Sequence, residues 1–222
     1  MTRPIVPTRR SAQRGVSLVF SLITLVALSL AAVALIRSVD TGATILGNLS
    51  FKQDTLLAAD EASRRAISWL DVNRGGTTLN SSIEAQGYRA MTVTRLDATG
   101  TRTGDNQRAV IDWNMNDCDE HPSTSYANCI KPLAAAMSLG PNNVEARWLI
   151  VRVCSAEGDP TLSTVACSRP ITASAAPTQE KGEMNYTDPK LQQIVLSQYF
   201  RVIVRARGAR NTVSVTETLV HF

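Results

Sequence analysis

Residues 16–36 form a run of 21 residues without a charge, set between Arg14 and Arg37. As an α-helix this run spans about 30 Å, the hydrocarbon thickness of a bilayer. In hydrocarbon a single chain segment satisfies its backbone polar groups only as a helix, so length and composition together predict a membrane-spanning helix. Arg3, Arg9, Arg10 and Arg14 precede it with no acid among them. A positive flank of this kind predicts a cytoplasmic N-terminus and an exported remainder. The same four arginines account for the whole net charge of +4: setting them aside leaves 19 basic and 19 acidic residues. A balanced remainder does not suit a nucleic-acid partner, so none is expected.

Three readings of the segment compete. A secretory signal peptide would be cut at the A-x-A site Ala32-Val33-Ala34. A plain signal anchor would stay uncut. A prepilin-type leader would be cut on the cytoplasmic side, between Gly15 and Val16, leaving the helix on the mature chain. Arg14-Gly15-Val16-Ser17-Leu18 favours the third reading, because a basic leader ends in one glycine and the apolar helix starts directly behind it.

The helical pattern does not stop at Ile36. Leu49, Leu56, Ser63 and Leu70 recur every seven residues, with Ala59, Ala66 and Ile67 on the same side. Lys52, Asp54, Asp60, Arg64 and Arg65 fall mostly elsewhere on the wheel, so an amphipathic helix is expected to about Leu70. The two halves together make about 55 residues, roughly 80 Å of helix. Gly42 and Gly47 weaken it by about 1 kcal/mol each, and a bend or local unwinding is expected there. In the first half Leu18, Phe20, Leu22, Leu25 and Leu28 would meet lipid or neighbouring helices; in the second, Leu49, Leu56 and Leu70 would carry the packing stripe.

In this stretch the chain resembles the PilX-type minor pilins of type IV pili. The resemblance rests on Arg14-Gly15-Val16-Ser17-Leu18, Arg37-Ser38, Gly47-Asn48-Leu49, Lys52-Gln53 and Ala58-Ala59-Asp60. Asp60 stands where the family usually has glutamate. The match covers about a quarter of the chain. It implies cleavage by a prepilin peptidase and residence in the inner membrane. It further implies assembly with other minor pilins and a major pilin, a large tip adhesin being a further candidate partner. Most major pilins carry a glutamate at the fifth mature residue, where this chain has Phe20; PilX-type sequences tolerate that absence. Its lack counts against a repeating shaft subunit and points to a priming or tip-proximal one. A type II secretion pseudopilin shares this logic and is the nearest alternative. A signal-anchored periplasmic protein or enzyme is the alternative of a different class.

The expected organisation is a leader at 1–15, a transmembrane or filament-core helix at 16–36, its amphipathic continuation at 37–72 and a periplasmic β-rich domain at 73–222. The fold class is α+β: a long N-terminal helix packed on an antiparallel sheet. Strands are expected over 88–96, 109–113 and 147–154, and over 194–206 and 212–220, the last two joined by a hairpin at Arg207-Gly208-Ala209-Arg210-Asn211. A short helix is expected within 126–137, limited by Pro132, and residues 155–190 read as surface loop.

Cys118, Cys129, Cys154 and Cys167 contain no C-x-x-C, and only His121 and His221 could join them as nitrogen ligands, so zinc is not expected. Behind an export signal they fit disulfides. Three connectivities exist, and the local one, Cys118–Cys129 with Cys154–Cys167, is favoured. Asp112-Trp113-Asn114-Met115-Asn116 starts like a calcium loop but has Asp117 in place of the turn glycine and Ser123 in place of the closing glutamate. The cluster from Asp117 to His121 puts adjacent residues together, which rarely converge on one ion. There is no G-x-S-x-G and no phosphate-binding Walker loop. Trp69, Trp113 and Trp148 read as core, Arg207 and Arg210 as a solvated hairpin tip, and His221 as unpartnered. No cofactor, metal or enzymatic activity is expected.

Overall fold

A computed structural model describes residues 16–169 and 197–222. The leader, the side chain of Val16, the loop from 170 to 190 and the expected strand start at Ile194 lie outside the described residues. The chain divides into two units, Met1–Leu49 and Ser50–Phe222. One helix, α1 (Val16–Asn73), contributes residues to both.

In the first unit α1 is helical through Gly42 and Gly47, so the expected unwinding does not occur. Nothing lies within 4 Å of either glycine beyond the helix itself. Propensity costs near 1 kcal/mol are absorbed by the long runs of good helix formers on both sides.

Among the described residues the second unit has eight strands: β1 (Tyr88–Arg89), β2 (Leu96–Asp97), β3 (Ala109–Ile111), β4 (Asn128–Ile130), β5 (Met137–Leu139), β6 (Val144–Arg152), β7 (Tyr199–Arg207) and β8 (Val213–His221). The larger sheet runs β1-β6-β7-β8, with β5 beside another part of β6, and the smaller runs β2-β3-β4. The three long strands are antiparallel, pairing Leu149 with Ile203 and Ile203 with Glu217. The sheet is mixed, because β1 joins β6 in parallel, and the small sheet is wholly parallel.

Strand alternation divides the apolar residues between two cores. Val144, Ala146, Trp148 and Ile150 of β6, with Phe200, Val202, Val204 and Ala206 of β7, form one core with Ala58, Ala59, Ala62, Ala66 and Leu70 of α1. Leu149, Val151 and Ile203 point to the other side and pack with Ala109, Ile111, Trp113 and Ile130. Residues 148–151 are therefore apolar at every position because this strand is covered on both faces. The three tryptophans fit the core reading: Trp113 and Trp148 are buried, and half-buried Trp69 packs on Tyr88 with ring centroids 5.6 Å apart.

Local expectations failed at two places. The helix expected within 126–137 is absent; its residues supply β4 and β5. Pro132 has no N–H to give a helix, and Cys129 is bonded to Cys118. The strand expected over 88–96 survives only at its ends. After Arg89 the chain leaves the β6 ladder: Ala90 N–H donates to Ser82 Oγ at 3.0 Å, and Thr92 N–H donates to the Cys154 carbonyl at 2.9 Å. Arg95 then turns through a positive φ of 54°.

The disulfides join Cys118 to Cys129 and Cys154 to Cys167. Closing loops of 11 and 13 residues restricts the unfolded chain, by about 3 kcal/mol each in the chain-entropy picture. A buried ion pair holds the smaller sheet, with Arg108 Nη1 2.8 Å from Asp97 Oδ2. Asp97 also accepts from Gly100 N–H at 3.0 Å and Arg102 N–H at 2.9 Å. Burial alone would raise this carboxyl, but these amides, Arg108 and the Thr99 hydroxyl together hold it below the usual carboxylate range.

Candidate functional site

The candidate site is α1 itself. Leu18, Phe20, Leu22, Leu25 and Leu28 are all exposed on the isolated chain. The most apolar 18-residue window of the helix has a mean hydropathy of 2.7 and buries none of its residues within the chain. Its hydroxyl groups are satisfied within the helix. Ser21 Oγ donates to the Leu18 carbonyl at 2.9 Å, Thr24 Oγ1 to Ser21 at 2.9 Å and Ser29 Oγ to Val26 at 2.8 Å. Such back-bonding leaves the segment with little polar demand, as a hydrocarbon environment requires. Among the described residues this is the one helix long and apolar enough to cross a membrane.

The second-half stripe differs from the heptad expectation. Leu70 is fully buried in the domain's own core and Ser63 is buried, whereas Leu49 is 50% and Leu56 44% exposed. A seven-residue repeat drifts about 20° per heptad around a straight α-helix, roughly 60° from the first position to the last, so the heptad line runs obliquely from the flank of the docking face at Leu49 and Leu56 onto it at Ser63 and Leu70. The residues that do face the sheet are Thr55, Ala58, Ala59, Ala62, Ser63, Ala66 and Leu70. Small side chains let helix and sheet approach closely. Leu70 thus belongs to the core and is unavailable to a neighbour, while Leu49 and Leu56 remain accessible.

The motif residues divide by role. Ala58 and Ala59 form the docking face. Asp60 is exposed and pairs with Arg64 at 2.6 Å. Asn48 and Gln53 are exposed and Gly47 is half-exposed. Lys52 reaches the sheet, its Nζ donating to the Val213 carbonyl at 2.8 Å. Of the expected cleavage residues, Val16 opens α1, while Gly15 and the Val16 side chain lie outside the described residues.

Several docking residues escaped the sequence reading. Thr55 is fully buried, with its hydroxyl 2.7 Å from that of Ser214. Space for it comes from Gly208, where a Cβ would stand 2.7 Å from Thr55 Cγ2. Arg207 and Arg210 are exposed, as expected for a solvated tip, and the Arg210 guanidinium also lies over the Phe51 ring at 5.2 Å from its centroid. His221 also has partners: Nδ1 is 3.4 Å from Ser197 Oγ, and the ring meets Tyr199 edge-on. Only Gly208, read as a turn residue, could have signalled a close approach.

Beside this face, Leu57, Ala58, Leu139, Pro141 and Val144 line an apolar groove rimmed by Asp54 and Glu61. The strongly perturbed buried groups are structural. Burial raises the Tyr88 hydroxyl, which donates to the Leu79 carbonyl at 2.7 Å. Burial lowers Arg152, whose Nε donates to the Ala90 carbonyl at 2.7 Å and whose Nη2 donates to Gly158 at 2.9 Å. Asp112, first residue of the calcium-like pattern, accepts from the N–H groups of Asn116 and Asp117, each at 2.9 Å. Its carboxylate closes its own turn.

No known protein family, curated protein or solved structure matches the chain.

Proposed function

We propose that this chain is a minor pilin, a structural subunit of a type IV pilus with a priming or tip-proximal place. The observation that carries the proposal is the divided use of one helix. Residues 17–36 bury nothing on their own chain, whereas residues 55–70 form one wall of the domain core. An ordinary signal peptide has no reason to continue as a structural element of the mature domain. A subunit that waits in a membrane and later packs in a filament does.

In this reading a prepilin peptidase cuts between Gly15 and Val16. The helix then holds the chain in the inner membrane, with its N-terminus cytoplasmic and the disulfide-bonded domain in the periplasm. Assembly transfers the helix into a bundle with other minor pilins and the major pilin. Phe20 supplies no anion for a neighbour's N-terminal ammonium, and an unpaired buried charge costs several kcal/mol. A few copies at one end avoid repeating that cost along the shaft.

Quantitative mass spectrometry of sheared filaments tests the proposal. The expected result is a mature chain starting at Val16, present far below the major subunit. A mature start at Leu35, absence from filaments, or near-equal abundance with the major subunit would each refute it.

A further inference from the structure

On the sheet face turned away from α1, three arginines converge. The β6–β7 register sets Arg147 directly opposite Arg205 and Glu145 opposite Arg207. With Trp113 and Asn114 from the segment after β3, these four residues line a cleft of about 130 Å³. That is several times the space one water needs. Three cations and one carboxylate leave the strand quartet with a charge of +2. A second carboxylate, Glu120, is engaged through Asn114, whose Nδ2 donates to it at 3.1 Å.

Like charges placed directly opposite on paired strands are destabilising. Glu145 relieves part of this, its Oε1 lying 3.3 Å from Arg147 Nε, but solvation adds little because the Arg147 side chain is only 15% exposed. Burial, and then the charge of Arg207, disfavour the charged form of Arg205. Existing hydrogen bonds fix the directions of the Arg147 and Arg205 guanidinium groups. Arg205 Nη1 donates to Asn114 Oδ1 at 2.9 Å, and Arg147 Nη1 donates to the Leu133 carbonyl at 2.9 Å. Among the described residues, Arg207 makes no side-chain hydrogen bond or ion pair.

We infer that the Arg147–Arg205–Arg207 cleft is a binding site for one carboxylate, presented by an acidic side chain of a partner protein. A guanidinium fork matches a planar carboxylate with two parallel hydrogen bonds. An entering anion removes the repulsion between the paired arginines. A single group fits better than a polyanion, because beyond the leader the chain carries 19 basic and 19 acidic residues and no broad positive field. The site does not depend on α1 entering a filament.

The test uses the full mature chain in non-ionic detergent micelles at low ionic strength, where surface electrostatics are least screened. Blocked Gly-Glu-Gly, blocked Gly-Gln-Gly and inorganic phosphate are titrated while the arginine side-chain NMR signals are followed. The Glu peptide should saturate, shifting the Arg205 and Arg207 signals, and the Gln peptide should not. Arg205→Gln should weaken Glu-peptide binding at least tenfold. Arg207→Gln, at an exposed position, should weaken it severalfold and decides the matter where Arg205→Gln fails to fold. Equal responses to both peptides, or saturation unchanged by the variants, would overturn the site. Saturation by phosphate without saturation by the Glu peptide would overturn the carboxylate assignment.

Discussion

Gly87→Ala should be among the most damaging single-methyl additions in the second unit. Gly87 has a φ of +61°, and a Cβ there would stand 2.3 Å from Leu133 N, 2.7 Å from Trp148 O and 2.8 Å from Pro132 C. All three are backbone atoms, so no side chain can rotate away. Leu133 N–H donates to the Trp148 carbonyl at 2.8 Å, and Ile150 N–H donates to the Gly87 carbonyl at 2.7 Å. Relief therefore means prising this edge from β6. Left-handed backbone costs an alanine about 1–2 kcal/mol, and overpacking adds about 1–3 kcal/mol. The total, about 2–5 kcal/mol, is a large share of a typical domain stability of about 5–15 kcal/mol. Urea unfolding of the mature chain in micelles, followed by tryptophan fluorescence, reads this unit alone, because Trp69, Trp113 and Trp148 all lie within Ser50–Phe222. With a slope of about 2 kcal/mol per molar urea, the midpoint should fall by about 1–2.5 M. Gly140→Ala separates strain from collision. Gly140 has a φ of +68° with nothing within 4 Å, so it should lose only about 1–2 kcal/mol. A Gly87→Ala midpoint equal to wild type, or equal to that of Gly140→Ala, would refute the clash argument.

Three further predictions concern the core charge and the helix faces. Because Asp97 titrates below its unfolded value of about 3.9, its contribution is fully present above that pH and lost as pH falls toward its folded value. Asp97→Asn should cost about 3 kcal/mol at pH 7 by stranding Arg108; parallel stability curves for variant and wild type between pH 5 and 2 would refute this. Ala62→Leu, on the fully buried docking face, should cost about 1–3 kcal/mol. Leu57→Ala, at a position 67% exposed, should stay within about 0.5 kcal/mol yet reduce recovery of the chain in sheared filaments; unchanged recovery would remove Leu57 from the assembly surface.

Long-range order in the helix was legible because it is written in local pattern: 21 uncharged residues need no partner to declare a span. The antiparallel trio was legible for a related reason. β6 and β7 carry β-branched and aromatic residues in runs, and the Arg207–Asn211 turn signals separate β7 from β8. Among the short strands, β1 and β3 fall within the strands expected over 88–96 and 109–113, whereas β4 lies where a helix was expected. β2, β3 and β4 are two or three residues long and exist only where other parts of the fold hold them, through the Asp97–Arg108 pair and the Cys118–Cys129 bridge. The docking face misled because alanines carry little hydrophobic signal, so the heptad of larger residues dominated the reading. The arginine cleft was hidden because Arg147 and Arg205 stand far apart in sequence and meet only through the β6–β7 register.

The composition of α1 also constrains where partner choice can reside. Once a helix lies in lipid, contact with another helix removes no apolar surface from water, so association depends on close packing and polar contacts. Residues 17–36 offer no charge, and the hydroxyls of Ser21, Thr24 and Ser29 are already bonded to their own helix. The large side chains along this segment give dispersion contacts with almost any apolar neighbour, which is affinity without selectivity. Under the proposed function, discrimination among partner subunits then falls to the second unit. Its accessible features are directional: the groove beside Leu57 with the Asp54 and Glu61 rim, and the arginine cleft on the opposite sheet face. Charges at these positions can reject a wrong partner as well as hold a right one. Under the proposed function, an apolar helix of low selectivity joined to a domain with two charged, differently signed surfaces would divide the labour of a subunit that enters an assembly at one defined place.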